Sequence, residues 1–205
     1  MMEKDCDFSS LKLELKEKIQ TLIGKMQQTL NGLDEEETCI LNEFGQIGGE
    51  INRIESLAAS FYLKCYISSY TDKYSEISYS VRNLSQRRHG ALIVIQREDA
   101  LERLITPGVS IDANLTCSLL ESVFVPGGPL HDGAVLVQGN KIASAANVLP
   151  LTNLVTDRKL GTRHRAALGL TERSDAFVIV VSEETGKASF SIEGNMYAFA
   201  TESLD

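Results

Sequence analysis

Tryptophan is absent from this chain of 205 residues, proline occurs only four times, and long apolar runs are missing. The apolar runs at 91–95 and 176–181 fall far short of the roughly 20 residues that cross a bilayer. The first ten residues are acidic and polar, unlike a secretion signal. We therefore expect no membrane span and a cytoplasmic protein.

Cysteine is scarce and unpaired in the sequence. The four cysteines, Cys6, Cys39, Cys65 and Cys117, are widely spaced and none forms a C-x-x-C motif. Their spacing excludes a zinc knuckle and a redox motif. We interpret all four as free thiols, most of them buried.

Positive charge is also in short supply. The formal net charge is −8 and the isoelectric point is about 5.0, which argues against general binding to nucleic acid or to an anionic membrane surface. A small cationic pocket remains compatible with this balance. With 43% hydrophobic and 23% charged residues, the chain has a globular composition, sufficient for one domain and an appendage.

The N-terminal third has the periodicity of two helices. Apolar residues between 11 and 30 recur every three or four positions, as in an amphipathic helix. The following segment carries a heptad seam, formed by Ile40, Phe44, Ile47, Ile51, Ile54, Ala58 and Phe61. We predict an antiparallel helical hairpin over residues 1–66. The seam could be covered within the hairpin alone, or it could also contact another subunit or the following domain.

Beyond residue 70 short β-like runs alternate with helical ones. Helices are predicted near 72–86, 115–122 and 162–172, and strands at 91–96, 133–138, 141–148, 176–181 and 187–192. Gly139 and Asn140 would join two of the strands as a hairpin, so the sheet should be mixed. We predict a single α/β domain over residues 70–205, with a mixed central sheet flanked by helices.

The stretch "PLHDGAV" (129–135) places a histidine and an aspartate at the entrance of a strand. Gly133 would let a backbone approach a ligand, and Asp132 could bind a divalent cation or accept a proton from a hydroxyl. On its own the stretch is equally compatible with a turn and a structural histidine at position 131.

The stretch "GTRHRAALGL" (161–170) opens a helix with one threonine, two arginines and a histidine. Free N–H groups and the helix dipole favour an anion there. Arg163 and Arg165 point to different sides of a regular helix, so only a polyphosphate could contact both. The alternative is a solvated basic turn.

A third stretch, "SEETG" (182–186), follows a strand and is acidic. It could be an ordinary hairpin turn, or one glutamate could bind a hard metal ion. A metal-binding carboxylate, an arginine-rich helix start and an acidic strand end together provide what phosphoryl or nucleotidyl transfer requires, because that chemistry depends on positioning and charge neutralisation.

Taken together, these stretches resemble those of a known family. Residues 70–195 are similar to the diadenylate cyclase (DAC) domain, which is marked by an Asp-Gly-Ala motif and an Arg-His-Arg motif. Here these read Asp132-Gly133-Ala134 and Arg163-His164-Arg165. The stretches at 90–99, 119–124, 129–135 and 160–170 occur in the family's order. The N-terminal hairpin resembles that of the soluble, sporulation-type cyclases of bacilli.

The resemblance implies that two ATP molecules are condensed into cyclic di-AMP with release of two pyrophosphates, using Mg²⁺ or Mn²⁺. It implies catalytic roles for Asp132, Gly133 and Ala134. The expected ATP-binding residues are Thr162, Arg163, His164, Arg165, Leu149 and Ser182. The expected metal ligands are Asp132, His131 and Glu184. Because one domain binds one ATP, two copies of the chain should face each other in a homo-oligomer.

Two other classes of protein remain open. The same pocket could serve a sensor of ATP or cyclic di-AMP that makes no product, although both intact motifs argue against it. The chain could also be a structural protein that assembles through the hairpin. If the chain is a cyclase, we expect the hairpin to hold copies in an assembly that restrains activity.

Overall fold

The computed structural model describes residues 9–34, 40–153 and 160–201. It contains helices α1 (Ser9–Asn31), α2 (Ile40–Ser68), α3 (Tyr74–Arg87), α4 (Cys117–Val123) and α5 (Thr162–Thr171), and a 3-10 turn at Gly32–Asp34. The strands are β1 (Ala91–Ile95), β2 (Val109–Asn114), β3 (Ala134–Gln138), β4 (Lys141–Asn147), β5 (Phe177–Val181), β6 (Ala188–Ile192) and β7 (Asn195–Phe199). Within these ranges no helix is long and apolar enough to cross a membrane.

The strands form one mixed sheet in the order β2-β4-β3-β1-β5-β6-β7. Strand β1 lies parallel to β3 and antiparallel to β5. The predicted hairpin through Gly139 and Asn140 is present, because β3 and β4 pair antiparallel on either side of it. The predicted α/β fold with a mixed sheet and a preceding helical hairpin is confirmed.

The central strands are buried on both faces, which explains their continuous apolar sequences. Along β1 the side chains alternate between two core layers. Ala91, Ile93 and Ile95 face a layer that contains residues of α2, α3 and α4. Leu92 and Val94 face a layer completed by α5. Helices therefore cover both faces of the sheet, and α5 covers the second face alone among the helices described.

The helical hairpin is joined to the sheet domain through the C-terminal part of α2. Leu63 and Ile67 are 1% and 0% exposed and belong to the main core. The predicted seam lies earlier in α2. There Ile47 is only 8% exposed, but Phe44 and Ile51 are 56% and 47% exposed. Part of the seam is thus left open by the hairpin itself.

Two strands were not predicted, and both lie at the edges of the sheet. Strand β2 has a largely exposed pattern and a register shift between Ser110 and Ala113. Within the described part of the chain, strand β7 pairs only with β6. Edge strands bury little side-chain surface, so their sequences carry only a weak alternating pattern.

The prediction of free thiols is right for one cysteine and wrong for another. Cys117 is a free thiol, whereas Cys65 is disulfide-bonded. Cys6 and Cys39 lie outside the described residues. Spacing along the chain excludes only local motifs, because a disulfide depends on Cα atoms that folding brings within about 7 Å.

Candidate active site

The two motifs lie at the same edge of the sheet. Residue 132 precedes β3, residue 90 precedes β1, and residue 182 follows β5. Because β1 runs parallel to β3 and antiparallel to β5, all three positions fall at one end of these strands. Strands β3 and β5 are separated by β1 alone, which puts them roughly 10 Å apart.

Helix α5 begins at this edge with an open N-terminus. Its N-cap residue, Gly161, is extended and provides no side-chain cap. The first N–H groups of a helix have no acceptor within the helix, so they can bind an anion together with the helix dipole. The backbone N–H of Thr152 donates to the Arg165 carbonyl at 3.0 Å, which ties the start of the helix to the loop after β4.

Arg163 points from α5 across the end of β1. Its Nη1 donates to Oε2 of Glu183 at 2.9 Å. Its Nε is buried and has no hydrogen-bond partner among the described residues. A Cβ placed on Gly90 would lie only 2.4 Å from Nη1. Arg163 therefore occupies space that only a glycine at position 90 leaves free. Its charge is paired with Glu183, but the N–H on Nε has no hydrogen-bond partner among the described residues.

A cavity of about 860 Å³ opens beside Arg163. This volume lies in the range of roughly 300–1,000 Å³ that is usual for small-molecule sites. Five of the predicted site residues line it: Thr162, Arg163, His164, Ser182 and Glu184. The predicted phosphate-binding helix start and the predicted acidic turn thus meet in one cavity.

His164 lies half-buried in this cavity. Burial lowers its pKa below the ordinary value of 6.5, and the nearby carboxylate of Glu184 opposes that shift. The imidazole is therefore biased towards its neutral form. It can donate or accept a hydrogen bond at a phosphate, while the fixed positive charge beside it comes from Arg163.

His131 and Asp132 are adjacent at the start of β3. Nδ1 of His131 is 2.5 Å from the Gly128 carbonyl oxygen, which can only accept, so Nδ1 carries the proton. Nε2 then faces Asp132, 3.6 Å from Oδ1. The Asp132 side chain is 88% exposed. The open carboxylate oxygen is a donor that fits Mg²⁺ or Mn²⁺, whereas the oriented imidazole nitrogen suits a transition metal such as Mn²⁺ better than Mg²⁺.

The glycine between this pair and β3 has a structural reason. Gly133 has a φ of +98°, and a Cβ there would lie 2.7 Å from the Asn147 carbonyl oxygen. Asn147 is buried and its Nδ2 donates to the Ala134 carbonyl at 2.8 Å. In this chain the neighbour that requires a glycine is β4, and the same contact fixes the backbone beside Asp132.

Other predicted site residues are not brought into the cavity. Arg165 is exposed and is not among its lining residues. Leu149 is 6% exposed and belongs to the core layer under α5. Glu184 lines the cavity, but no group of three or more metal-binding side chains is found in the described ranges. His131, Asp132 and Glu184 do not form a preassembled metal centre here.

Three residues of the site were missed by the sequence analysis. Gly90 makes room for Arg163, Glu183 pairs with it, and Lys187 lines the cavity as a second cation. Glu183 belongs to the acidic turn that was singled out, but its sequence neighbour Glu184 was chosen. No sequence signal places Gly90 or Lys187 in the site, because each reaches it only when strands distant in sequence pack side by side.

A helix start with free N–H groups, an arginine whose buried Nε has no partner among the described residues and an exposed carboxylate lie at the same end of the central strands, as expected of a nucleotide-binding domain. Two family models match the chain. Residues 78–196 match the model described as DisA bacterial checkpoint controller nucleotide-binding, the DAC domain. Residues 2–70 match diadenylate cyclase CdaS, N-terminal. The chain belongs to the diadenylate cyclase family, and the predicted resemblance is confirmed.

Curated relatives agree over most of the chain. It is 48% identical to diadenylate cyclase CdaS of Bacillus thuringiensis, over 93% of this chain and 95% of that protein. It is also 48% identical to cyclic di-AMP synthase CdaS of Bacillus subtilis, over 87% of this chain and 86% of that protein. The predicted enzyme class, a nucleotidyltransferase, is confirmed.

The chain is also similar to solved structures. One, from Bacillus cereus and described as a hypothetical membrane spanning protein, has a TM-score of 0.77 at 47% identity and covers 93% of this chain and 94% of that chain. Another is a double mutant of DacA from Staphylococcus aureus, with a TM-score of 0.60 at 45% identity, covering 63% of this chain and 87% of that chain. The first similarity includes the helical hairpin, because its coverage extends over nearly the whole chain.

Proposed function

We propose that this chain, as a diadenylate cyclase, condenses two ATP molecules into cyclic di-AMP. Each 3′-hydroxyl oxygen forms a bond to the α-phosphorus of the other ATP. The bond from that phosphorus to the bridging oxygen breaks, and pyrophosphate leaves with its electron pair. Two such displacements release two pyrophosphates, and each hydroxyl proton passes to a base or to solvent.

The triphosphate would lie in the cavity at the start of α5. Thr162, Arg163, His164 and Ser182 line it, and the open helix N-terminus supplies further donors. Charge-assisted contacts of this kind are stronger than neutral ones. Arg165, which projects outside the cavity, would contact phosphate only from the rim or on a nucleotide of a facing copy.

Asp132 would act on the 3′-hydroxyl, with Gly133 and Ala134 fixing the backbone that carries it. Its carboxylate can accept the hydroxyl proton or orient the oxygen for in-line attack. The exposure of 88% leaves it free to do so. Leu149, buried beneath α5, would support the wall beside the adenine through packing.

A divalent metal ion, Mg²⁺ or Mn²⁺, would be held by Asp132 and His131, with Glu184 as a further ligand once nucleotide is bound. When bound, it would neutralise charge on the α-phosphate and lower the pKa of the attacking hydroxyl. The Gly128 carbonyl accepts a hydrogen bond from Nδ1 of His131 and would keep the other ring nitrogen turned towards the metal ion.

The observation that carries the proposal is the exposed carboxylate of Asp132, which lies at the same end of the central strands as a cavity large enough for a nucleotide, about 860 Å³. A single nucleotide in that cavity would present its ribose to solvent beside Asp132, where its reaction partner must arrive from outside. A second copy of the chain, facing the first about a two-fold axis, would deliver the second ATP. A homo-oligomer in the cytoplasm is therefore part of the proposal, as is a role in sporulation.

Incubation of the full chain with ATP and Mn²⁺, followed by chromatography of the nucleotides, tests this proposal. Cyclic di-AMP and pyrophosphate in a one-to-two ratio are expected. Binding of ATP without product, under conditions where the protein is assembled, would instead support the alternative of an inactive nucleotide sensor.

A further inference from the structure

A second cavity, of about 270 Å³, lies between helix α2 and the β6–β7 hairpin. It is on the opposite face of these two strands from the nucleotide cavity, which Ser189 and Ala198 line. Its walls are aromatic. Tyr62 and Tyr66 come from α2, and Phe190 and Tyr197 come from the two strands. We refer to these four rings, with Glu55 and Glu193 beside them, as the aromatic pocket.

The four rings form one connected cluster. Tyr62 and Tyr66 stack with their centroids 5.8 Å apart. Tyr66 meets Phe190 edge-on at 6.3 Å, and Phe190 lies 5.4 Å from Tyr197. Aromatic faces carry negative electrostatic potential, so several rings around one cavity favour a cation over a neutral molecule of the same shape.

Among the described residues that line the aromatic pocket, the charged groups have one sign. Glu55 and Glu193 both line it, and its ten described lining residues include no lysine, arginine or histidine. Burial raises the pKa of Tyr66, and the negative charge of Glu193 adds to the increase. The nearby cation Arg97 is engaged elsewhere: it lies over the Tyr70 ring, 4.8 Å from its centroid, and donates to the Asp175 carbonyl.

The backbone of Glu193 adopts an unusual, left-handed conformation. It adopts a φ of 50° in the turn between β6 and β7, followed by Gly194 at 69°. Two left-handed residues of this kind form a turn that prefers Asn-Gly, because asparagine tolerates the left-handed region better than longer side chains do. The turn itself therefore does not require a glutamate at position 193.

We propose that the aromatic pocket binds a small organic cation, of the quaternary ammonium or alkylated amine class. The cationic head would lie against the faces of Tyr62, Tyr66 and Tyr197, with Glu55 and Glu193 supplying the opposite charge. A compact head of this class fits a cavity of about 270 Å³. Such a ligand would touch both α2 and the sheet, and the site is independent of the nucleotide cavity.

Choline is the probe that tests this proposal, with 3,3-dimethylbutan-1-ol as its uncharged isostere of equal shape. Binding to the full chain is measured by titration calorimetry. Tyrosine fluorescence gives a second signal, since the chain has six tyrosines and no tryptophan. We expect choline to bind about fivefold more tightly than the isostere.

The variants Tyr197→Leu and Glu193→Gln should each weaken choline binding about fivefold, whereas Tyr197→Phe should retain it because the ring face is kept. Tyr79→Leu and Glu102→Gln, which alter exposed residues outside the pocket, are the matched controls and should bind choline normally. Equal affinity for choline and its isostere would overturn the proposal. So would an absence of binding in the assembled protein, or equal losses in the pocket and control variants.

Discussion

The side chain of Arg163 lies so close to Gly90 that it leaves no room for a Cβ at position 90. Nη1 of Arg163 lies 2.4 Å from the position that a Cβ on Gly90 would take, and Cζ lies 2.8 Å from it. The same guanidinium is held by Glu183 at 2.9 Å. The orientation of Arg163, the proposed phosphate-binding arginine, is thus set by a residue just before β1, far along the chain from the motif that contains Arg163.

Gly90→Ala should therefore affect ATP binding more than folding. The colliding atoms are the end of a flexible side chain, so Arg163 can swing away at a cost in folding free energy below about 1 kcal/mol. A contact from arginine to phosphate is worth about 1.5–3 kcal/mol, so its loss should weaken ATP binding about tenfold or more. Titration calorimetry and urea denaturation measure the two effects.

Gly24→Ala is the matched control for this substitution. A Cβ on Gly24 would have no neighbour within 4 Å, and alanine stabilises a helix interior by about 0.5–1 kcal/mol relative to glycine. It should leave ATP affinity unchanged. Equal ATP affinity in Gly90→Ala and Gly24→Ala would show that Arg163 does not bind the triphosphate from the position described.

The two arginines of the motif should differ in their effect. Arg163 lines the cavity, whereas Arg165 is exposed outside it. We expect Arg163→Ala to weaken binding of ATP about tenfold or more, and Arg165→Ala to have a much smaller effect on that binding. Calorimetric titration of each single variant with ATP is the measurement. Equal losses would mean that both arginines reach one triphosphate.

Asp132→Asn should abolish synthesis of cyclic di-AMP while leaving the fold and most of the ATP affinity intact. The amide keeps the shape of the side chain but loses the charge that would hold a metal ion or accept a proton. Because the side chain is 88% exposed, folding free energy should change by less than about 0.5 kcal/mol. Product chromatography showing synthesis within a few-fold of wild type would remove Asp132 from the proposed mechanism.

The sequence predicted the inner strands well because they are buried on both faces. β1 and β5 show this as unbroken apolar runs, and the start of α5 was apparent from Gly161 and the polar residues after it. The contact between Gly90 and Arg163 could not be predicted in the same way. It joins a strand entrance to a helix start 73 positions later, and only the order of the strands brings them together.

The aromatic pocket illustrates the same limit. Tyr62 and Tyr66 are four residues apart on α2, so a helical pattern indicates that they share a face. Tyr197 lies on an edge strand that was not predicted, opposite Phe190 in the register of β6 and β7. Without that strand, the sequence gives no reason to place the three tyrosines together.

The half-buried His164 predicts a dependence of stability on pH. Burial lowers its pKa in the folded protein below 6.5, so between these two pKa values the unfolded chain binds more protons than the folded one. The free energy of unfolding then rises with pH. This contribution is fully present above pH 6.5, the unfolded value, and is lost as the pH falls towards the folded pKa.

We expect wild type to lose more stability than His164→Asn on acidification from about pH 7.5 to about pH 5.5, because only wild type has this imidazole to protonate. Urea denaturation at both values gives the comparison. The difference should remain in the absence of nucleotide. Parallel pH profiles for the two proteins would show that His164 titrates alike in the folded and unfolded chains.

The open part of the helical seam leads to a prediction about assembly. Removing residues 1–66 would be a poor test of the role of the hairpin in assembly. It would also remove Leu63, which is 1% exposed and belongs to the main core. Ile47→Glu would bury a charge, since Ile47 is 8% exposed. Ile51 is 47% exposed, so a charge there would spare the fold of each copy and would disturb the contacts that the proposed assembly makes along the seam.

Ile51→Glu should therefore change the oligomer and raise the rate of cyclic di-AMP synthesis per chain. If the hairpin holds copies in an arrangement that keeps their Asp132 edges apart, weakening it by about 1.4 kcal/mol would increase the competent fraction up to tenfold. Light scattering and product chromatography measure the two effects on the same sample. Asn52→Glu adds the same charge at an exposed neighbour off the seam and should change neither. A variant that becomes monomeric and inactive would show the opposite, that the hairpin brings the active edges together.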